Sequence, residues 1–202
     1  RLQRRFGKHI AQDEAIFTQL TSTIVRQVGD LRNIVDEFSS FARMPKPLFR
    51  AENMHDIVGH AVFMFEVAHP DISFRYNQDG PFPTLISDRR QLGQAITNIL
   101  KNAVESIEEK KKTVEVDGAI VIDLVVEGDG LIIRIADNGI GLPPDRKRIM
   151  EPYITNRATG SGLGLAIVNK IVEEHGGDMT FANAADGARG GTRVTLRFAR
   201  DP

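Results

Sequence analysis

One segment near the start of the chain strongly limits what this sequence can fold into. Between Asp13 and Arg43 there is no proline and only one glycine, and the Pro-Lys-Pro sequence at 45–47 would stop any helix. Apolar residues recur every seven positions, which predicts a helix of about 30 residues, roughly 45 Å long, with an apolar stripe. One helix cannot bury such a stripe alone, so we expect a partner helix in a bundle. The stripe comprises Phe17, Ile24, Leu31 and Phe38, with Thr21, Val28, Val35 and Ala42 four residues behind them.

Beyond the Pro-Lys-Pro sequence, helical and strand patterns alternate. This mixture predicts an α+β domain, with helices on one side of an antiparallel sheet. The predicted helices cover residues 55–68, 87–112 and 164–175, and the predicted strands cover 72–77, 119–127, 131–137, 179–184 and 192–198.

The composition is that of an ordinary globular protein. The 202 residues have a net charge of −1, which gives no basic footprint for nucleic acid. There is no cysteine for disulfides or thiolate metal sites, and no apolar run of the roughly 18 residues that span a bilayer. The chain has neither an initiator methionine nor a signal-peptide pattern, so we expect it to be a piece of a longer protein.

The predicted helix at 87–112 carries two asparagines one turn apart, Asn98 and Asn102. Both project away from the apolar face of that helix. A solvated face is the simplest interpretation, but asparagine is a mediocre helix former, and Glu, Lys or Arg would suit such a face better. The alternative is that the pair binds a ligand.

Two glycine-containing motifs follow the asparagine pair. Asp137 continues the inward phase of the strand at 131–137 and is followed by Gly139 and Gly141. Turn chemistry explains Asp-Asn-Gly but not the inward phase, because a buried carboxylate needs a donor.

The second motif is GSGLGL at 160–165, where Gly160, Gly162 and Gly164 precede an apolar helix. Backbone N–H groups at such a helix start can face an anion, although a plain turn is the alternative. The spacing matches neither a dinucleotide fingerprint nor a Walker A loop.

The order of these motifs resembles the ATP-binding domain shared by histidine kinases, type II topoisomerases, Hsp90 and MutL. NILKN at 98–102, DNGIG at 137–141 and GSGLGL resemble its N, G1 and G2 boxes. EPYITNR at 151–157 resembles the F box of histidine kinases, and GGTRVTLRF at 190–198 resembles the closing strand of the family. The segment RQVGDLRNIVDEFSSFARMPKP resembles the second helix of a sensor-kinase dimerisation domain, most like nitrogen-regulation sensors of the NtrY type.

The resemblance implies a fold, two cofactors and a set of binding residues. The fold would be a two-layer α/β sandwich of the Bergerat type, preceded by a long dimerisation-bundle helix. The cofactors would be ATP and Mg²⁺, with Asn102 as the metal ligand and Asp137 accepting from the adenine amine, assisted by Thr192. A lid at 143–161 would close over the phosphates. The other implied binding residues are Asn98, Gly139, Gly141, Tyr153, Arg157, Gly160, Gly162, Leu163, Gly164 and Leu165.

The resemblance also implies a division of the chain and its partners. Residues 1–46 would be the C-terminal part of the dimerisation and phosphotransfer hairpin, and residues 47–202 the ATP-binding catalytic domain. The implied partners are ATP, a response-regulator receiver domain and a second copy of the chain, bound through the bundle, with no nucleic acid. The implied location is the cytoplasm, in a parent protein anchored in the inner membrane, and the implied process is nitrogen-related signalling.

The phosphoacceptor of such a kinase is a histidine followed by an acidic residue and then by Asn-Pro or Thr-Pro. None of the five histidines has this sequence, and only His55 precedes an acidic residue, Asp56. We interpret all five as surface or packing residues and expect the acceptor upstream of Arg1.

One departure from the family pattern separates its branches. In the hydrolysing branch, a glutamate four residues before the metal-binding asparagine activates water, whereas this chain has Asn98, a poor general base. That favours a kinase over an ATPase. A non-catalytic nucleotide-binding signalling module is the other alternative, although Asn102, Asp137 and the glycines are all present.

Overall fold

Helix α1, Glu14–Ala42, comes first in this computed structural model, which describes residues 14–42, 44–78, 83–142, 162–184 and 190–199. It confirms the long helix predicted from the heptad pattern. Most of the described side chains of its apolar stripe are exposed, with Ile24 and Leu31 each 61% accessible. In the described part of the chain, no helix is long and apolar enough to cross a membrane.

A five-stranded sheet, a two-stranded sheet and three helices form the rest of the described chain. The elements are β1 Arg50–Asn53, α2 Met54–Ala68, β2 Ile72–Gln78, β3 Thr84–Ser87, α3 Arg89–Lys111, β4 Gly118–Glu127, β5 Gly130–Asp137, α4 Gly164–Glu174, β6 Asp178–Asn183 and β7 Thr192–Ala199. The strand order in the large sheet is β2-β4-β5-β7-β6, and the small sheet pairs β1 with β3.

The sheet is not wholly antiparallel, so that part of the sequence prediction was wrong. Strand β2 runs parallel to β4, whereas β4–β5, β5–β7 and β6–β7 are antiparallel. The physical reason is the connection. Helix α3 lies between β2 and β4 in the chain and acts as the crossover that a parallel pair requires.

The small β1–β3 sheet was missed by the sequence prediction. Arg50 pairs with Ser87 and Asn53 with Thr84, across a separation of more than 30 residues. The sequence RAEN has no alternation of apolar and polar residues, because three of its four residues are polar. Only the distant partner strand makes it a strand.

The core lies between helices α2, α3 and α4 and one face of the large sheet, which confirms the two-layer α/β arrangement. Alternate residues of each strand point into this layer, as the period of two along a strand requires. The largest fully buried side chains are Phe198, Met54, Leu92, Ile96, Ile99, Leu100, Ile107, Ile120, Ile122, Leu124, Leu131 and Ile133.

Candidate nucleotide-binding site

The carboxylate of Asp137 lies buried at the end of β5. Leu131, Ile133 and Ile135 point into the core, and Asp137 continues their phase with only 7% of its surface exposed. Its Oδ1 atom accepts a hydrogen bond of 2.8 Å from the backbone N–H of Gly139. The inward position predicted from the sequence is therefore observed, and this donor offsets part of the cost of burying the carboxylate.

The loop after β5 packs on α3 through Ser106. The buried Ser106 hydroxyl accepts from the N–H of Ile140 at 3.1 Å and donates to Asp137 Oδ1 at 3.5 Å. A Cβ atom on Gly139 would lie 2.2 Å from Ser106 Oγ. Helix α3 therefore excludes a side chain at Gly139, independently of any ligand.

The Gly-Gly-Thr segment reaches the same edge of the sheet. Gly191 has a φ of 120°, and a Cβ atom there would lie 2.2 Å from the carbonyl oxygen of Asp137. Gly141, with a φ of 84°, approaches Gly191 from the other loop. Thr192 is half-buried and lies one position beyond the last residue pair of the β5–β7 ladder, opposite Asp137. Thr192 and Asp137 are therefore neighbours across the sheet.

Asn138, which follows β5, joins the end of that strand to the start of β4. This role was not predicted from the sequence. Its Oδ1 accepts from the N–H of Ala119 at 2.9 Å, and its Nδ2 donates to the carbonyl of Asp117 at 2.8 Å. Lys110 Nζ donates to the Asn138 carbonyl at 2.6 Å. The Asp-Asn-Gly sequence was the available signal, because asparagine side chains commonly bond to nearby backbone. Here the bonded backbone belongs to another strand.

The two asparagines of α3 are half-buried, so their face is not simply solvated. Asn98 Nδ2 donates to the carbonyl oxygen of Gly164, the first residue of α4, at 3.5 Å. On the same helix, exposed Lys101 lies 4.0 Å from Glu105, which is an ordinary surface ion pair. Asn98 therefore faces the start of α4, and Asn102 lies one turn further along α3.

Helix α4 begins without a side-chain cap. Its N-cap residue is Leu163, which is fully buried and offers no side-chain acceptor. Gly162 precedes it with a φ of 70°, and Leu165 in the first turn is half-buried. The first N–H groups of any helix lack intrahelical partners, and anions are favoured there. This helix start is therefore chemically suited to a phosphate.

Three of the predicted site residues, Tyr153, Arg157 and Gly160, lie outside the described residues, as does the predicted lid at 143–161. The described residues fit Mg-ATP in their chemistry. The buried carboxylate of Asp137 suits an amine donor, the amide oxygen of Asn102 is a hard ligand suited to Mg²⁺, and the uncapped start of α4 suits phosphate.

Three of the described histidines, His55, His69 and His175, make contacts with aromatic rings. His55 stacks on Tyr76, with ring centroids 5.5 Å apart and with its Nδ1 atom 3.1 Å from the tyrosine hydroxyl. Burial, with the nearby Asp56 charge, raises the pKa of Tyr76 to about 12, so the hydroxyl stays protonated. His175 lies at the C-terminal end of α4 and bonds to backbone on two helices. Sequence reasoning anticipated packing roles for histidines but not these partners.

The fold and the site together define a class. A helical layer on a mixed sheet, with a buried strand-end carboxylate, a facing asparagine pair and an uncapped glycine-led helix, is the architecture of an ATP-binding domain. The sequence model of the family described as "Histidine kinase-, DNA gyrase B-, and HSP90-like ATPase" matches residues 87–202. The chain belongs to this family.

The curated relatives of this chain include NtrY and putative sensor histidine kinases described as NtrY-like. The chain is 48% identical to nitrogen regulation protein NtrY of Azorhizobium caulinodans over 198 residues, 98% of this chain and 26% of that protein. It spans between a quarter and a third of the length of the first curated relatives that it matches.

Solved structures of histidine kinases share the fold. Full-length ShkA in complex with AMPPNP is 25% identical, with a TM-score of 0.71, covering 91% of this chain and 39% of that one. Histidine kinase ThkA in complex with response regulator TrrA is 22% identical, with a TM-score of 0.74, covering 98% of this chain and 55% of that one.

Proposed function

We propose that this chain is the catalytic region of a two-component sensor histidine kinase that binds Mg-ATP. It transfers the γ-phosphoryl group to a histidine on the dimerisation helix, and from there to a response regulator in nitrogen-related signalling. The observation that carries the proposal is the contact between Asn98 and Gly164, which joins the asparagine helix to the uncapped start of α4.

Adenine recognition is assigned to the edge of the sheet. Asp137 is buried and accepts from Gly139 and Ser106 through Oδ1, and an ionised carboxylate has further acceptor sites that suit a donor such as the adenine amine. Thr192 lies opposite Asp137, and from there it would reach the same base edge directly or through a water molecule. Gly139 and Gly141 allow the loop at this edge to pack closely against Ser106 of α3 and against Gly191.

Phosphate and metal binding are assigned to α3, the glycine loop and the lid. Asn102 provides an amide oxygen for Mg²⁺, and Asn98 lies one turn earlier, along the phosphates. When bound, Mg-ATP supplies the transferable phosphoryl group and a cation that neutralises phosphate charge. Backbone N–H groups of the loop hold the phosphates, and two lid residues complete the site. The loop residues are Gly160, Gly162, Leu163, Gly164 and Leu165, and the lid residues are Tyr153 and Arg157.

Within the described helix α3, the position from which hydrolysing relatives activate water holds no base. Asn98 stands where hydrolysing relatives need a glutamate, and its amide cannot accept a proton at ordinary pH. Its amide nitrogen instead donates to the Gly164 carbonyl. The phosphoryl group is therefore kept for a histidine acceptor.

The remaining parts follow the sensor-kinase plan. Residues 1–46 belong to the dimerisation hairpin and residues 47–202 to the catalytic domain, in the cytoplasmic part of a parent protein anchored in the inner membrane. The exposed stripe of α1 supports a homodimer through a bundle, because an apolar face of this length is a liability in a monomer. The complex of ThkA with TrrA supports a receiver domain as the protein partner.

Two measurements test the proposal. Calorimetric titration with ATP, with and without Mg²⁺, should show metal-dependent binding. Incubation with γ-labelled ATP and a separate bundle segment that carries an acceptor histidine should label that segment. Release of free phosphate without labelling would indicate an ATPase, and binding with neither product would indicate a non-catalytic module.

A further inference from the structure

The segment at 44–49, here called the linker, follows α1 and contacts the catalytic domain at three points, through two hydrogen bonds and one ring contact. The N–H of Leu48 donates to Asp88 Oδ2 at 2.9 Å, and Gln91 Nε2 donates to the carbonyl of Pro45 at 2.8 Å. The ring of Phe49 meets the ring of His175 edge to face, at a centroid distance of 5.2 Å. The linker therefore contacts both α3 and the end of α4.

Asp88 holds the linker and caps α3 with different oxygens. Its Oδ1 accepts from the N–H groups of Arg90 at 2.9 Å and Gln91 at 3.1 Å, which is the N-cap of α3, while Oδ2 serves Leu48. Burial of this carboxyl group would raise its pKa, but hydrogen bonds from the Leu48, Gln91 and Arg90 backbones outweigh burial and leave the pKa below its ordinary value. The ionised carboxylate is thus the form that holds both segments.

His175 completes the connection between the two helices. Its Nε2 accepts from the N–H of Asp88 at 3.0 Å, and its Nδ1 lies 2.7 Å from the carbonyl of Ile171. A backbone N–H can only donate and a carbonyl can only accept, so the ring is neutral, with its proton on Nδ1. The start of α3 is therefore tied to the end of α4.

The start of α4, at the opposite end of this helix from His175, belongs to the proposed nucleotide site. Asn98 contacts Gly164 at the start of α4, about 15 Å along α3 from Asp88 at 1.5 Å per residue. Helices α3 and α4 consequently run antiparallel, and both ends of α4 are bonded to the first half of α3. A displacement at the Asp88–His175 end is carried along two rigid helices to Asn98, Asn102 and the start of α4.

We propose that Asp88 and His175 are positioning residues that couple the docking of the linker to the spacing of α3 and α4. Release of the linker then weakens nucleotide binding, and movement of α1 reaches the site by this route. This inference rests on the proposed function, because the nucleotide is the ligand whose affinity responds.

The Asp88→Asn variant separates the two duties of this residue in the full 202-residue chain. The asparagine oxygen can still cap α3, but its amide nitrogen would face the Leu48 N–H, so the linker bond is lost. Exchange of the Leu48 amide should accelerate about tenfold, the effect of losing one such hydrogen bond. Mg-ATP affinity should fall about fivefold, the lower range for coupled sites. The side-chain amide resonance of Asn98 should shift.

Two further sets of variants control the test. Asn53→Asp makes the reverse exchange at the N-cap of α2, where Oδ1 accepts from the N–H of His55, and should leave all three readouts unchanged. His175→Ala removes the acceptor for Asp88 and should reproduce the effect on Asn98 and on affinity. His175→Gln restores a carbonyl acceptor and should recover part of both. The His175 variants also carry the test if Asp88→Asn does not fold.

Coupling between two sites must be reciprocal. Saturating Mg-ATP should therefore slow Leu48 exchange in the unchanged chain about fivefold, the factor predicted for the change in Mg-ATP affinity. Faster Leu48 exchange in Asp88→Asn with unchanged Asn98 resonance and ATP affinity would overturn the coupling. Unchanged Leu48 exchange in Asp88→Asn would also overturn the coupling. If the unchanged chain binds no ATP, the proposed function fails, whereas the Asn98 resonance still decides whether the linker is coupled to α3 and α4.

Discussion

The side-chain amide of Asn98 donates to the carbonyl oxygen of Gly164, 66 positions later in the chain. This bond joins the asparagine helix to the glycine-led helix, so two separate sequence motifs meet at one place. At 3.5 Å the bond is long, and its importance lies in the juxtaposition rather than in its strength.

The adenine assignment predicts a loss of affinity in Asp137→Asn. The change replaces one acceptor oxygen with a donor that faces the adenine amine, and the mismatch costs about 1–3 kcal/mol of binding free energy. Calorimetric titration with ATP should show this loss, while circular dichroism checks the fold. An affinity equal to that of the unchanged chain would remove Asp137 from the adenine site.

The metal assignment predicts a different result for Asn102→Ala. Removal of the amide oxygen should abolish most of the dependence of ATP affinity on Mg²⁺, because the cation loses its protein ligand. Titrations at a series of Mg²⁺ concentrations provide the measurement. If the curves of the two proteins superimpose, another residue holds the metal.

The packing of Gly139 on α3 predicts a stability effect without any ligand. Gly139→Ala places a Cβ atom 2.2 Å from Ser106 Oγ, and such overpacking should lower the free energy of unfolding by about 1–3 kcal/mol. Gly93→Ala is the matched control within α3, where the added Cβ would meet no atom within 4 Å apart from the adjacent backbone of its own helix. That change should stabilise the protein by about 1 kcal/mol, since alanine is the better helix former. Urea unfolding of both variants measures the contrast, and equal effects would contradict the packing argument.

The lowered pKa of Asp88 predicts how stability depends on pH. A carboxyl group with a lowered pKa stabilises the folded state above its unfolded pKa of about 3.9, and this contribution is lost as pH falls through the folded value. Urea unfolding should therefore show stability falling below about pH 4, and falling less in Asp88→Asn.

Asp71→Asn provides the comparison for this pH dependence. The Lys111 hydrogen bond also lowers the pKa of Asp71, but that carboxyl group is fully exposed and screened by solvent. Its loss should hardly change the acid limb of the stability curve. A larger effect for Asp71→Asn than for Asp88→Asn would refute the assignment.

The exposed stripe of α1 predicts self-association. Leu31 is 61% accessible, so Leu31→Ala should scarcely change the stability of one copy but should weaken association between copies. Sedimentation across a concentration series measures this, and Gln19→Ala, an exposed polar change on the opposite face of the same helix, should have no effect. ATP affinity should stay the same in both. A clean monomer at high concentration in the unchanged chain would disprove self-association through α1.

Local periodicity determined all four described helices and the five strands of the large sheet, because their patterns are written in neighbouring residues. The heptad stripe specified α1, the alternation of Leu131, Ile133 and Ile135 specified β5, and its phase placed Asp137 inward. Tertiary structure alone decided which distant segments meet. RAEN became a strand only through its pairing with Thr84–Ser87, and β2 became parallel to β4 because α3 crosses between them. The bonds from Asp88 to Leu48 and His175 span 40 and 87 positions and leave no periodic trace, since each depends on how packed helices bring their ends together.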